Sequence, residues 1–224
     1  MKLVWFIKNS ITRKNLMALT GLFLCFFLII HLLGNFQLLL PKEEAQLQYN
    51  LYSDFLSNNI LVKVISYVLY ASILVHTIDS IYLSIKAKKA KGSSYARDKR
   101  NRASKWYSRQ MMLLGTIVFA FLVIHFKDFW FPYKFGSINS DANGNRDLYS
   151  LVVISFQELW YVILYAVAIL ALGFHLLHGF FSAFRTIGLY NPRYNRIIKM
   201  IGVIFSAAIT LGYFVIPFYI YLNA

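Results

Sequence analysis

The chain has 224 residues, of which 58% are hydrophobic, 18% aromatic and only 14% charged. Soluble domains carry about 25% charged residues, so this composition excludes an ordinary soluble fold and directs attention to runs of about 20 apolar residues. The net charge of +14 raises the question of a nucleic-acid partner, which the placement of the charges answers.

Five apolar spans follow in order. The first runs over about Asn15–Leu40 and carries no charge. It is nearer 26 residues than the about 7–15 of a signal-peptide core, and no small-residue cleavage pattern follows it, so a cleaved signal is not expected. Cys25, the single cysteine, lies inside it and reads as a small buried apolar residue. The second span covers about Ile60–Ile85, with Lys63 near its start and Asp79 within. The third covers Gln110–Phe131, the fourth Ser155–Phe184 with Glu158 near its start, and the fifth Ile197–Leu222. The expected fold is all-α: residues 1–224 form one five-helix membrane domain, without an internal repeat or low-complexity tract.

The N-terminus, the 86–109 segment and the 185–199 segment together hold 18 of the 23 Lys and Arg. The other side holds Lys42, Lys63, Lys127, Lys134 and Arg146, and most of the acids: Glu43, Glu44, Asp54, Asp128, Asp141 and Asp147. Lys/Arg-rich loops are cytoplasmic, so the N-terminus is expected inside and the C-terminus outside. Trp5, Trp106, Trp130 and Trp160 fall near span ends, as interfacial anchors do. The stretch KAKKAKGSSYARDKRNRASK (86–105) fits this topology and attraction to anionic lipid; a docking surface for a cytoplasmic protein is a second role it could serve. Nucleic acid is not required.

All five histidines, His31, His76, His125, His175 and His178, lie inside the spans. Ionisable residues at membrane depth are costly and usually functional, although any single one can simply bond a neighbouring helix. Depth sorts them. At about 1.5 Å per residue, His31 is about 25 Å beyond Lys14 and His125 about 24 Å beyond Arg109. His76 and His175 are each about 15 Å from the basic residue ending their span, Lys86 and Arg185, and His178 about 10 Å. Two histidines from two helices at one depth are what a bis-imidazole haem requires. Two such pairs, His31 with His125 and His76 with His175, imply two haems about 10 Å apart in depth. A zinc ion instead needs its ligands converged at one point.

The stretch MALTGLFLCFFLIIHLLGN (17–35) resembles the first span of the cytochrome b subunit of succinate dehydrogenase and fumarate reductase, of the single-chain, five-helix, dihaem type. GTIVFAFLVIH places Gly115 ten residues before His125 as that family does, and the fourth span sets Gly179 four and Gly188 thirteen residues after His175. ILVHTIDS matches more loosely, with Ser80 where a small residue is usual, and the connecting loops match poorly. A small residue four after the ligand lies on the same helix face and lets a flat macrocycle approach the backbone. His178 has Ser182 in that position, so this test alone does not exclude it, but depth and Gly179 favour His175 for iron. His178 is left to bond a haem propionate or a quinone oxygen.

The resemblance implies the membrane anchor of complex II in a bacterial cytoplasmic membrane. It implies two b haems, menaquinone as substrate, and a flavoprotein and an iron–sulfur subunit as partners. Electrons from succinate would reach the inner haem (His76, His175), then the outer haem (His31, His125), then quinone. The chain could not oxidise succinate alone, since one cysteine cannot hold a cluster needing four thiolates. Asp54, Asp79 and Glu158 are quinone-site candidates. Asp54 reads somewhat better as a solvated loop acid, and Glu158 can be read as an interfacial residue at a span end, whereas a mid-span carboxylate such as Asp79 needs a partner. Arg13, Lys14 and Arg185 suit haem propionates or plain positive-inside topology alike. Three alternatives stand beside this reading: a menaquinol:fumarate reductase anchor, a dihaem cytochrome b of a hydrogenase or formate dehydrogenase, and a haem-free transporter or proton channel.

Overall fold

A computed structural model describes residues 9–90, 105–189 and 191–223; Trp5 and most of the basic 86–105 stretch lie outside the described residues. The chain is an all-α, multi-pass membrane protein, with five helical stretches long and apolar enough to cross a bilayer. α1 (Ser10–Asn35) starts where the Asn9 side chain accepts the Ile11 N–H, a standard N-cap. A 3₁₀ turn, Phe36–Leu39, completes that crossing. α3 (Ile60–Ala90) carries the second span five residues beyond the expected end, into the basic stretch. α4 (Met111–His125) continues through a π-helical turn, Phe126–Trp130, into α5 (Phe131–Phe135). α7 (Leu159–Thr186) and α8 (Pro192–Asn223) are the last two crossings. Pro192 at the first position of α8 needs no helical hydrogen-bond donor there.

Two helices of nine residues or more were not expected from the sequence, and a single helical turn, Trp106–Arg109, precedes α4. α2 (Lys42–Asn58) fills the first connection, with Glu43 and Glu44 in its first turn, where the helix dipole favours negative charge. α6 (Leu148–Phe156) precedes α7. The expected fourth span merged the two, but the backbone turns extended at Glu158 (φ −87°, ψ 112°), so Ser155 belongs to α6. α2, α6 and the 136–147 loop cap one end of the bundle. Asn50, fully buried, ties them: its amide donates to Asp141 (3.2 Å) and Asp147 (2.9 Å) and its oxygen accepts the Tyr149 N–H (3.0 Å).

α7 is the central helix. It packs on α8, α4 and α1, while α1 packs on α3, and α3 touches α4 more lightly. α1, α3, α4 and α7 therefore form a four-sided bundle, with α8 laid against α7 and α1. α1 and α4 are not packed neighbours, nor are α3 and α7; each of these pairs faces across a diagonal. Two glycines let α8 come close. A Cβ at Gly212 would stand 2.6 Å from Leu32, and one at Gly173 would collide with Thr210. Most apolar side chains on the outer faces of α1, α3 and α8 are exposed, as lipid-facing surfaces are.

Candidate functional site: two histidine pairs

The two diagonals are where the histidines meet. His31 on α1 and His125 on α4 have ring centres 5.9 Å apart, with planes at 81°. His76 on α3 and His175 on α7 are 6.2 Å apart at 63°. The pairing expected from depth is the pairing found. His178, one turn on from His175, joins neither pair; its Nδ1 is 2.8 Å from the Ser108 hydroxyl.

The second nitrogen of each ring has its own surroundings. His76 Nδ1 lies 3.2 Å from the Met17 carbonyl and 3.3 Å from the Thr20 hydroxyl. A carbonyl only accepts, so His76 carries its proton on Nδ1 and leaves Nε2 with a bare lone pair. His125 Nδ1 lies 3.0 Å from the Tyr165 hydroxyl. His31 Nδ1 has only the Asn35 amide, at 3.4 Å. His175 Nδ1 is buried with no hydrogen-bond partner among the described residues. Nor is any hydrogen bond to an Nε2 atom of these four rings found among the described residues.

Glycines from the opposite helices face the second pair. A Cβ on Gly21 would lie 3.2 Å from His76 Cε1, and one on Gly115 would lie 3.7 Å from His175 Cε1. Gly21 is ten residues before His31, and Gly115 ten before His125. Each of those helices thus presents a glycine to one layer and a histidine to the other, about 15 Å apart along the axis. This corrects the expected 10 Å: the basic residues taken as depth markers do not share one level. Gly179 is less intimate, since its Cβ would be 4.0 Å from His175.

The pairs fit a six-coordinate iron porphyrin. A metal–imidazole bond of about 2 Å on each side puts the two ring centres about 6 Å apart, which both pairs match. The glycine faces leave room that a Cβ would fill, on diagonals where the helix backbones are not close-packed neighbours.

The other candidate residues lie elsewhere. Asp79 is buried and ion-paired with Arg13, whose guanidinium also lies 4.2 Å over the Tyr82 ring. This is the partner that a mid-span carboxylate needs, and it ties α1 to α3. Asp54, on α2, is 3.6 Å from Arg146 and accepts from Asn58 at 2.9 Å. Glu158 is exposed before α7, and its backbone carbonyl accepts from Tyr161 and Val162. Lys14 and Arg185 are exposed near the ends of α1 and α7. The structure does not gather Asp54, Asp79 and Glu158 into one site. Next to His125, Tyr70, Ile73, Leu74, Phe126 and Trp130 line an apolar groove of about 200 Å³ between α3 and α4, with Trp130 Nε1 donating to the Tyr70 hydroxyl at 2.8 Å.

Tyr161, Tyr165 and Asp128 were not singled out from the sequence. Tyr165 is 40 residues from His125 and Tyr161 33 from Asp128, and nothing local marks these two among the 16 tyrosines of the chain. No family model, curated protein or solved structure matches this chain.

Proposed function

We propose that the chain is the membrane-anchor cytochrome b subunit of a succinate:quinone oxidoreductase, holding one b haem between His31 and His125 and another between His76 and His175. The observation that carries this reading is the presence of two cross-bundle imidazole pairs, each with ring centres about 6 Å apart. Bound haem supplies a one-electron ferric/ferrous couple, set by its axial ligands and their surroundings.

The protein's own contribution is orientation and exclusion of water. The Met17 carbonyl fixes the His76 ring in its ligating tautomer, as the outer partner of a metal-bound histidine does. Gly21 and Gly115 keep bulk away from His76 and His175. Buried side chains of α7 around Tyr165 and Ile169 seal the bundle between the two layers. His178, bonded to Ser108, ties the segment just before α4 to α7. The Lys/Arg excess of the N-terminus, 86–109 and 185–199 supports a cytoplasmic orientation for that end of the bundle. There the flavoprotein and iron–sulfur subunits would dock, and menaquinone would be reduced within the bacterial cytoplasmic membrane. The TGLFL stretch ahead of His31 favours this complex over the cytochrome of a hydrogenase or formate dehydrogenase.

Affinity purification of the tagged chain from native membranes tests the assignment. A flavoprotein and an iron–sulfur protein should accompany it, with succinate-dependent reduction of a menaquinone analogue. Copurification with hydrogenase or formate dehydrogenase subunits would overturn it. Fumarate reduction by quinol that far outpaces succinate oxidation would assign the reverse direction.

A further inference from the structure

A chain of hydrogen bonds leads from His125 to the edge of the bundle. His125 Nδ1 is 3.0 Å from the Tyr165 hydroxyl, which is 3.3 Å from the Tyr161 hydroxyl, one turn earlier on α7. Tyr161 in turn donates to Asp128 Oδ2 at 3.1 Å. Asp128 sits in the π-helical turn that follows His125, and its carboxylate is salt-bridged to Lys127 at 3.2 Å. Tyr161 and Tyr165 are buried, whereas the Asp128 side chain is 25% exposed.

The directions of these bonds are fixed from one end. A carboxylate only accepts, so the one proton of Tyr161 goes to Asp128. The Tyr161 oxygen must then accept from Tyr165, and the Tyr165 oxygen must accept from His125. The imidazole proton is thereby held on Nδ1, which leaves the Nε2 lone pair free for a metal. We infer that Tyr165, Tyr161 and Asp128 form a polarised relay that positions His125 and lends it anionic character, which sets the outer pair's potential apart from the inner pair's.

The inference rests on the haem reading proposed above. The other members of the two pairs lack such a relay: His31 has a long contact to an amide, His76 a neutral carbonyl and hydroxyl, and His175 Nδ1 no partner among the described residues. Outer-shell hydrogen bonds from a ligating histidine to an acceptor raise ligand basicity, and a more basic ligand stabilises ferric over ferrous iron. Tyr165 and Tyr161 are positioning residues; neither touches iron. The π-helical turn, a form frequent at functional sites, carries Asp128 three residues past the ligand it serves.

Redox titration of the haem-loaded protein, following each haem optically, reads the relay directly. Tyr165→Phe should raise the midpoint potential of the outer haem and leave the inner one unmoved. Tyr161→Phe and Asp128→Asn should shift it in the same direction by less, and these two changes lie away from the ligand, so they keep the test available if Tyr165→Phe misfolds. Two haems with both potentials unchanged in all three variants would overturn the relay while leaving the haem reading intact. A wild-type protein without haem would overturn both.

Discussion

A ligating histidine has two nitrogens to satisfy, and the environment of the one that does not bind metal decides the tautomer. At His76 and His125 an acceptor lies beside Nδ1; at His175 there is none among the described residues. The difference between His175 and His178 is also one of surroundings. His175 faces His76, whereas His178 is engaged by Ser108. His175→Ala should therefore remove one of two haems per chain, and His178→Ala should keep both; haem quantified on the purified variants checks this. Loss of a haem in the second variant alone would place the ligand one turn along. Gly21 gives a finer test. Its Cβ would fall 3.2 Å from His76, tighter than ordinary van der Waals contact, so Gly21→Val should lower occupancy or shift the potential of the inner haem only.

At the scale of elements, the crossings were legible because about 20 apolar residues admit few other readings. The cap was not. α2 is rich in Glu, Gln, Asn and Ser and reads as a connection, since its register is imposed by Asn50 bonding to residues some 90 to 100 positions away. The break between α6 and α7 was hidden because apolar residues continue on both sides of Gln157 and Glu158. Asn50→Ala would leave the Tyr149 N–H and two carboxylates without their buried partner. It should cost about 1–3 kcal/mol, read as a lower unfolding midpoint with haem content unchanged.

The cap is also sensitive to acid. Burial pushes the Asp147 carboxyl up, but hydrogen bonds from Ser150, Asn50 and Gln46 outweigh this and hold it below the ordinary carboxylate range. Asp141 is likewise held low, because backbone and side-chain donors at Asn145, Asn50 and Asn143 outweigh its desolvation. A carboxyl with a depressed folded-state pKa contributes stability above its unfolded pKa of about 3.9, and that contribution is lost as pH falls through the folded value. Protection of the 136–150 amides, measured against their intrinsic exchange rates, should therefore fall below about pH 4. Asp147→Asn should lose less protection on acidification, and an equal loss in both proteins would place the acid sensitivity elsewhere.

For the whole molecule, connectivity and charge agree. The beginnings of α1, α4 and α8 share one end of the bundle with the ends of α3 and α7, shown by the Ser10–Lys86, Ser108–His178 and Gly202–Phe180 contacts. That end carries the described basic residues Arg13, Lys14, Lys86, Lys105, Arg109 and Arg185. The capped end should then face outward. A cysteine introduced at exposed Asn143 should react with an impermeant thiol reagent added outside intact cells, the native Cys25 being buried. Reaction only after permeabilisation would invert the topology.

The pairing of histidines across the bundle followed from depth alone, because a helix converts residue number into height. The 15 Å layer spacing and the Tyr165 relay required tertiary contacts, which residue counting does not contain. Everything functional in this account depends on two haems seated between the two pairs. The measurement that tests it most directly is a reduced-minus-oxidised optical spectrum of the purified chain, expressed with ample haem supply, with haem counted per polypeptide. Two b-type haems per chain are expected. A colourless protein would contradict the account and return the histidines to a transporter or proton channel.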